Sequence, residues 1–388
     1  MNMYKNLDQT YVLQTYGRNY TSFTHGKNAT LFSDKGEDFI DFTSGIGVVS
    51  VGHGNEVLSK AIGEQAGKIL HISNLYLNKP QALLAKRLSD LAGFDLGVFF
   101  ANSGAEANEG AIKLARKYGN KKGKNHIITL ENSFHGRTLA TLRATGQESF
   151  HVKDFEPFID GFSFVKNIDE AIQKADGKTA GIMIELIQGE GGVNPLPKEK
   201  VQELALFCQK NDILLIVDEV QTGVYRTGKF LCSQVYEIKP DIITLAKGLG
   251  GGVPIGAVLT KHKDIFTIGD HGSTFGGGFL VSRAALSVLD ILEKMYKNKQ
   301  LEEHIKYFNS KLENLVKKFP DLFLVSKGIG FMRGIKCKRE VKILIQKAHE
   351  NKVLALKAGG DTLRFLPPLS ISKQEIDEGF KRLELAFS

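Results

Sequence analysis

The sequence predicts an α/β protein built around a mostly parallel central sheet flanked by helices, and two features support this prediction. Short apolar runs alternate along the chain with longer stretches of helical periodicity. The runs are apolar at nearly every position, which is typical of strands covered on both faces. The predicted strands are residues 98–101, 126–130, 181–186, 213–218, 241–246 and 256–260. Helices are predicted between them at residues 105–118 and 198–211.

The two ends of the chain differ from the middle in composition and in predicted secondary structure. Residues 283–319 are rich in Lys, Glu and Leu and predict one long helix. Beyond it, strand-like pieces mix with helical ones. We therefore expect an N-terminal segment at 1–50 that forms part of a small domain, a large α/β domain at 51–285, and a C-terminal small α+β domain at 286–388.

The composition is that of an ordinary globular protein. The chain has 388 residues, of which 42% are hydrophobic and 24% charged, and this excludes disorder, collagen-like structure and coiled coil. Its 51 basic and 43 acidic side chains give a net charge of +8. The basic residues are spread along the chain and form no RNA-binding motif, so we expect no nucleic-acid partner.

The cysteines and the first residues indicate the compartment. Cys208, Cys232 and Cys337 lie far apart, without CxxC spacing or a nearby His, so we expect free thiols and no metal site. The first residues contain no apolar core of a signal peptide, and no apolar run approaches the roughly 18 residues of a membrane span. These observations predict a cytoplasmic protein without a membrane partner.

The first candidate site is the turn Asn102-Ser103-Gly104, which follows the strand predicted at 98–101. A Ser-Gly turn at the carboxyl end of a strand can open the next helix. The free N–H groups at the start of that helix, together with its dipole, form an anion site. The Ser103 hydroxyl can add a donor. The alternative is a serine N-cap without a ligand.

The second candidate site is the run Asp218-Glu219-Val220-Gln221, at the end of the strand predicted at 213–218. Open α/β sheets place their ligands at this end of their strands. A carboxylate there could hold a metal, pair with a cation or act as a base. The alternative is an ordinary aspartate that caps the next turn.

The third candidate site is Lys247, which ends a predicted strand and precedes the glycine-rich loop at 248–252. Such a lysine could bind a phosphate as a point charge or act as a Schiff-base nucleophile. The alternative is a solvated side chain beside a turn. The segment does not match a Walker A loop, and the chain contains no G-x-G-x-x-G dinucleotide fingerprint.

The three candidate sites together fit one cofactor. A strand-end aspartate can keep a pyridinium nitrogen protonated, a strand-end lysine can form an imine with an aldehyde, and a helix start can bind a phosphate. Pyridoxal 5'-phosphate needs all three partners. Asp218, Lys247 and the turn at Ser103 therefore predict this cofactor jointly, although none of the three segments predicts it alone.

Four segments then identify a known family. They are Phe134-His135-Gly136-Arg137-Thr138, Gln188-Gly189-Glu190-Gly191-Gly192, and the runs around Asp218 and Lys247. With these segments the chain resembles the class III aminotransferases, a branch of the fold type I pyridoxal-phosphate transferases, nearly from end to end. Within the class it most resembles the acetylornithine aminotransferase group. The resemblance implies a large domain with a mostly parallel sheet, and a smaller domain formed by the C-terminal part and the N-terminal segment.

By this resemblance, two residues carry out the chemistry. Lys247 bonds to the cofactor's aldehyde and shuttles a proton once the substrate amine has displaced it, and Asp218 pairs with the ring nitrogen. The resemblance also implies that Gln221 is the partner of the phenolic oxygen and that Phe134 stacks on the ring face. The residues expected to bind the phosphate are Ser103, Gly104 and Ala105.

The segment that contains Ser273 and Thr274 matches a loop that reaches the neighbouring subunit in this family. The resemblance implies that Thr274 binds the neighbour's cofactor phosphate and that Ser273 contributes to the substrate site. The protein is therefore expected to be a homodimer with shared active sites. The alternative is a surface glycine loop.

Two arginines are expected to bind the substrate carboxylates, since a guanidinium group binds a carboxylate through two hydrogen bonds. Arg364 resembles the family's arginine for the α-carboxylate of glutamate or 2-oxoglutarate. Arg137 resembles the one for the carboxylate remote from the reacting carbon. With an ω-amino substrate, the α-carboxylate goes to Arg137, and Glu190 neutralises Arg364. Without the family context, each arginine would be interpreted as part of an ordinary surface salt bridge.

The resemblance implies an N-acetylornithine:2-oxoglutarate aminotransferase of arginine biosynthesis that works by ping-pong transfer of a terminal amine. N-succinyl-diaminopimelate, ornithine and 4-aminobutyrate are the alternative donors, because each offers a terminal amine and a remote carboxylate. Outside the family, the alternative is a non-catalytic protein that binds the cofactor or nucleic acid. The chain departs from many relatives at Tyr225, where they carry Gly, and this side chain is expected to alter the loop or to fill part of the pocket.

Overall fold

The computed structural model describes residues 2–388, and its elements confirm the α/β class. The helices are α1 (Asn2–Tyr11), α2 (Ser44–Gly47), α3 (Glu56–Ala66), α4 (Lys79–Ala92), α5 (Gly104–Asn120), α6 (Leu139–Ala144), α7 (Ile168–Lys174), α8 (Lys198–Lys210), α9 (Cys232–Tyr236), α10 (Phe279–Lys297), α11 (Gln300–Lys318), α12 (Val341–Glu350) and α13 (Lys373–Phe387). The strands are β1 (Phe23–Lys27), β2 (Thr30–Ser33), β3 (Asp38–Asp41), β4 (Gly97–Ala101), β5 (His126–Leu130), β6 (Phe162–Val165), β7 (Thr179–Ile184), β8 (Ile187–Gln188), β9 (Asn194–Pro195), β10 (Leu214–Asp218), β11 (Ile242–Leu245), β12 (Gly256–Thr260), β13 (Phe323–Ile329), β14 (Met332–Cys337), β15 (Val353–Leu354), β16 (Leu356–Ala358) and β17 (Thr362–Phe365).

The central sheet confirms the mostly parallel architecture. Its strand order is β4-β12-β11-β10-β7-β5-β6, and the neighbouring strands are parallel except where β12 pairs with β4 and β11. Side chains of β10 alternate between two apolar clusters, Ile216 on one face with α5 and Val217 on the other with α8. Helices therefore cover both faces, and the carboxyl ends of β7, β10 and β11 meet at one edge, where such sheets bind ligands.

Two details of the sequence-based prediction are wrong. The helix predicted over residues 283–319 is two helices, because Lys299 between α10 and α11 has a φ of 62°, a left-handed conformation that interrupts the hydrogen-bond ladder. The edge strand β6 was not predicted. Its sequence, Phe-Ser-Phe-Val, is short and only partly apolar, and it pairs with β5 on one side.

Strands from the two ends of the chain pair with each other. β3 runs parallel to β15, with Ile40 opposite Val353. The antiparallel sheet β13-β14-β17-β16 follows in the C-terminal part. β17 lies between β14 and β16 and carries Arg364, which reaches side chains at the edge of the central sheet. The C-terminal part therefore supplies one wall of the region described below.

Three further observations concern membrane-spanning helices, metal-binding groups and the cysteine thiols. Within residues 2–388, no helix is both long and apolar enough to span a membrane. The same range contains no group of three or more His, Cys, Asp or Glu side chains placed to hold a metal ion. The thiols of Cys208, Cys232 and Cys337 are buried and free.

Candidate active site

A cavity of about 440 Å³ opens at the carboxyl ends of β4, β10 and β11. The predicted site residues that line it are Ser103, Gly104, Ala105, Phe134, Arg137, Asp218, Gln221 and Lys247. Glu190 and Arg364 adjoin the cavity through hydrogen bonds with Gln221. The fold therefore brings the three candidate sites of the sequence into one place.

Asp218 ends β10 and holds a fixed orientation. Its Oδ2 accepts hydrogen bonds from Asn108 Nδ2 at 2.7 Å and from His135 Nδ1 at 2.8 Å. Its Oδ1 accepts from the backbone N–H of Val220 at 3.0 Å. Donation to a carboxylate places the proton of His135 on Nδ1. With 4% of the residue exposed, the carboxylate is a buried acceptor on the wall of the cavity.

The groups that hold Asp218 were not predicted. Asn108, on α5, donates to the backbone carbonyl of His135 at 2.7 Å and accepts from Thr244 Oγ1 on β11 at 2.7 Å. Asn108 lies 110 positions from Asp218 and 136 positions from Thr244 in the sequence, a proximity that no local pattern reveals. One signal was present, since Asn108 is a polar residue on the face of α5 that buries Ala107, Ala111 and Ile112.

Lys247 begins a 3-10 turn directly after β11, with a left-handed φ of 41°. Such backbone strain in a residue other than glycine clusters at functional sites. Burial disfavours the charged amine and lowers the pKa of Lys247, although the carboxylate of Glu190 opposes this shift. An amine with a lowered pKa can serve as a nucleophile and as a base near neutral pH.

The start of α5 forms one end of the cavity. Ser103 is the N-cap, and its Oγ accepts a hydrogen bond from the N–H of Glu106 at 3.2 Å. The serine is therefore a cap, as the alternative interpretation of the sequence held, and it is also a wall of the cavity. A Cβ at Gly104 would lie 2.7 Å from Val220, so this position requires glycine. The first N–H groups of the helix are thus available to an anion.

Arg364 and Glu190 form a bidentate ion pair. Arg364 Nη1 lies 2.6 Å from Glu190 Oε1, and Nη2 lies 3.1 Å from Oε2. Gln221 joins the pair, because its Oε1 accepts from Arg364 Nη1 at 3.2 Å. Burial by itself raises the pKa of Glu190, but the charge and hydrogen bonds of Arg364 outweigh it, so this pKa lies below its ordinary value.

Arg137 and Phe134 lie on the segment between β5 and α6. The Phe134 ring faces Phe150 edge-on at 5.6 Å between centroids, and the Arg137 guanidinium lies 4.0 Å from the Phe150 ring centroid. This cation–π contact holds an exposed guanidinium at the cavity wall. Within the described part of the chain no carboxylate pairs with Arg137, in contrast to Arg364.

Ser273 and Thr274 lie outside the cavity of their own chain, in a separate groove. Ser273 Oγ accepts from Asn102 Nδ2 at 3.0 Å and from the N–H of Gly276 at 2.9 Å. Thr274 is exposed. A single chain therefore does not bring these two residues to Lys247.

Tyr225 lies in the core and not in the cavity, so it does not fill part of the pocket. It is 2% exposed, and its ring packs against Phe230 and Tyr296 at centroid distances of 5.7 and 5.3 Å. Its φ of 65° is a conformation that glycine adopts at little cost. A tyrosine in place of glycine therefore affects the backbone conformation of this loop and not the shape of the cavity.

Glu185 is a site residue that the sequence interpretation missed. It directly follows β7, is 6% exposed, and lines the cavity. Burial raises the pKa of Glu185 to about 7. The sequence carried the same signal as at Asp218, a carboxylate at the end of a buried strand. The strand was predicted to end at residue 186, so Glu185 was placed inside it and not at its end.

The residues around the cavity fit pyridoxal 5'-phosphate. They offer a buried carboxylate for the ring nitrogen, an amine of lowered pKa for the aldehyde, and a helix start for the phosphate. The glycine at the helix start lets this turn pack against Val220 on the cavity wall. This set of donors and acceptors matches the cofactor's three functional groups.

Comparisons with known proteins agree with this chemistry. The family model for class-III aminotransferases matches residues 13–387. An acetylornithine aminotransferase of Wolinella succinogenes is 54% identical over 98% of this chain and 98% of its own.

Solved structures are similar over the whole chain. The acetylornithine aminotransferase of Elizabethkingia anophelis is 30% identical, with a TM-score of 0.88 over 100% of this chain and 98% of its own. An ornithine aminotransferase of Toxoplasma gondii, described with partial occupancy of PLP at its active site, is 28% identical with a TM-score of 0.92, over 100% of this chain and 94% of its own.

Proposed function

Because the chain belongs to the class III aminotransferases, we propose that it transfers the terminal amine of N-acetylornithine to 2-oxoglutarate. The products are N-acetylglutamate 5-semialdehyde and glutamate. This is the reaction of an acetylornithine aminotransferase, the name of the Wolinella and Elizabethkingia relatives. The substrates are small molecules, and the reaction serves arginine biosynthesis.

The cofactor is pyridoxal 5'-phosphate, which when bound withdraws electrons from the carbon that carries the reacting amine. Asp218, fixed by Asn108 and His135, holds a proton on the ring nitrogen. The start of α5 binds the phosphate. Gln221 and Phe134 line the same cavity, where they would meet the phenolic oxygen and the ring face. Each of these groups lies on the wall of the same cavity.

Lys247 holds the cofactor and moves the proton. Its Nζ lines the cavity and would hold the cofactor through the aldehyde carbon until a substrate amine takes that position. As a free amine, Nζ would be the base that moves the proton of the reacting carbon. The lowered pKa of Lys247 supports this role, because a base is most effective when its pKa lies near the working pH.

Two guanidinium groups divide the recognition of carboxylates. Arg137 is exposed at the cavity wall and binds the carboxylate remote from the reacting carbon. Arg364 is occupied by Glu190, which neutralises it while an ω-amino substrate binds. Glutamate displaces Glu190 with its own α-carboxylate. This pair of arginines, one available and one internally neutralised, is the observation that carries the proposal of an ω-amine donor and a 2-oxoglutarate acceptor.

The donor is tested by a comparison of amines read through glutamate formation. With pyridoxal phosphate and 2-oxoglutarate present, kcat/KM is expected to be highest for N-acetylornithine among that amine, N-succinyl-diaminopimelate, ornithine and 4-aminobutyrate. A higher kcat/KM for one of the other three amines moves the assignment within the family. No glutamate from N-acetylornithine contradicts the proposal.

Replacing Glu190 with glutamine is expected to shift preference from the ω-amine towards glutamate. The ion pair with Arg364 loses its negative charge, so the α-carboxylate of glutamate meets less competition, and the guanidinium is left positive beside the ω-amine. A hydrogen bond to a charged group contributes about 1.5–3 kcal/mol, so the ratio of the two half-reaction kcat/KM values should change about ten- to hundredfold. Single-turnover absorbance of the cofactor measures both half-reactions.

Glu148→Gln is the matched control for this variant. Glu148 is exposed in the groove that Glu190 also lines, and no guanidinium lies within 4 Å of it among residues 2–388. The control should leave the ratio of half-reactions unchanged. An unchanged ratio in Glu190→Gln would remove Glu190 from substrate recognition.

The exposed apolar surface around Ser273 and Thr274 supports a homodimer with shared active sites. Leu75 and Leu77 are 89% and 87% exposed, and Phe275 is 64% exposed. Asn74 ties the two segments together, because its Nδ2 donates to the carbonyl of Ser273 at 2.9 Å. Large apolar side chains exposed on two adjoining segments are typical of a protein interface. In the dimer, Thr274 binds the phosphate in the partner's cavity, and Ser273 contributes to its substrate site.

The compartment is the cytoplasm. The support is the state of Cys208, Cys232 and Cys337, which are free thiols, as expected in a reducing environment.

A further inference from the structure

Glu185 connects two segments of the active site through the backbone. Its Oε2 accepts the N–H of Phe134 at 2.9 Å, and its Oε1 accepts the N–H of Gly189 at 3.3 Å. The residue is anchored at the end of β7, in the middle of the central sheet. One carboxylate therefore fixes two loops to the same rigid strand.

Each of the two loops carries a group that handles substrate carboxylates. Phe134 lies three residues before Arg137, on a segment without regular structure. Gly189 lies directly before Glu190, which pairs with Arg364. Glu185 thus fixes the position of Arg137 relative to that of the Glu190–Arg364 pair.

The loop at Gly189 has little freedom to compensate for a lost contact. A Cβ at Gly189 would lie 2.3 Å from Gln221 Oε1, so this backbone is packed directly against the side chain that also binds Arg364. The carbonyl of Glu190 accepts the N–H of Gly359 at 2.7 Å, which ties the other side of the loop to the C-terminal part. A shift at Gly189 would therefore be transmitted to Glu190 and Gln221.

We propose that Glu185 is a positioning residue that sets the distance between the two carboxylate-binding ends of the substrate site and thereby selects the chain length of the dicarboxylic substrate. The proposal rests on the roles proposed above for Arg137 and Arg364. A five-carbon dicarboxylate spans the two ends when both loops are held. When Glu185 no longer fixes the two loops, a dicarboxylic substrate one methylene longer is accommodated.

The test is Glu185→Gln in the holoenzyme, with glutamate and 2-aminoadipate as probes. An amide oxygen can accept one of the two N–H groups, but the amide nitrogen cannot accept the other. In the wild-type protein, one methylene should be worth about 10–200-fold in kcat/KM, and we expect the variant to lower this preference for glutamate at least about fivefold. The loss should lie mainly in KM. Backbone amide exchange at Phe134 and Gly189 should become faster, a measurement that does not depend on turnover.

Glu219→Gln is the matched control. Glu219 is a buried carboxyl at the end of the neighbouring strand, and it accepts the N–H groups of Cys232 and Ser233 outside the cavity. This variant should lose thermal stability and keep the wild-type preference for glutamate over 2-aminoadipate. An equal change of preference in both variants would overturn the proposal, because the effect would then be a general loosening.

If the glutamine variant does not fold, Glu185→Asp is the second test, because it keeps a carboxyl group but withdraws its oxygens from both N–H groups. The same relaxed preference is expected. A preference unchanged from wild type in the variant that folds overturns the proposal. Failure of the acetylornithine assignment is distinguishable, because it would appear in the wild-type protein with N-acetylornithine, whereas this test uses only the glutamate side of the reaction.

Discussion

Turnover is expected to fall by more than about 10⁴-fold when Lys247 is replaced by alanine, because covalent attachment of the cofactor and proton transfer are lost together. The variant should remain folded, since the side chain faces a cavity and its removal leaves the central sheet intact. Glutamate formation measures turnover. The absorption band of the covalently bound cofactor should disappear, and circular dichroism should be unchanged.

Lys263→Ala is the control for this variant. Lys263 is exposed after the last strand of the sheet and pairs with Asp95 on the surface. It should keep normal turnover and the normal absorption band. Partial recovery of Lys247→Ala by a small added amine would support a role of Nζ as base. Normal turnover without such an amine contradicts the assignment of Lys247.

The sequence could predict Asp218 and Lys247 because both follow a buried apolar run. Strand ends can be recognised locally, and in a parallel sheet the carboxyl ends lie at one edge. The helix start at Ser103 follows from the same argument. Three local patterns thus predicted one common site without any tertiary contact. In the structure, Ser103, Asp218 and Lys247 line the same cavity.

The groups that orient these residues could not be predicted in the same way. Asn108, His135 and Thr244 meet Asp218 only because α5, the segment after β5 and the strand β11 pack around the end of β10. The break at Lys299 was hidden for a related reason, since the left-handed conformation of one lysine has no signature in composition. Tertiary geometry, and not local propensity, decides both features.

Replacing Asp218 with asparagine is expected to lower kcat by about 10²–10³-fold or more, the size typical for loss of one group that stabilises developing charge. Asparagine keeps the shape but removes the negative charge that holds a proton on the ring nitrogen. It also presents an NH₂ group to donors, because Asp218 accepts from Asn108, His135 and Val220. One of these contacts must therefore become a clash between donors. Steady-state glutamate formation measures the loss, and the cofactor's dissociation constant should rise as well.

Asp241→Asn separates this effect from a general cost of neutralising a hydrogen-bonded aspartate at the end of a sheet strand, although Asp241 is only partly buried. Asp241 precedes β11 at the opposite end of the same sheet, where its Oδ2 accepts the N–H of Leu215 at 2.9 Å and its Oδ1 pairs with Lys261 at 2.8 Å. It should lose some thermal stability and keep kcat near the wild-type value, because no part of it reaches the cavity. A similar fall of kcat in both variants, or a wild-type kcat in Asp218→Asn, would show that the charge of Asp218 is not used in the reaction. A fall confined to Asp218→Asn assigns the effect to the one carboxylate that the central sheet presents to the ring nitrogen.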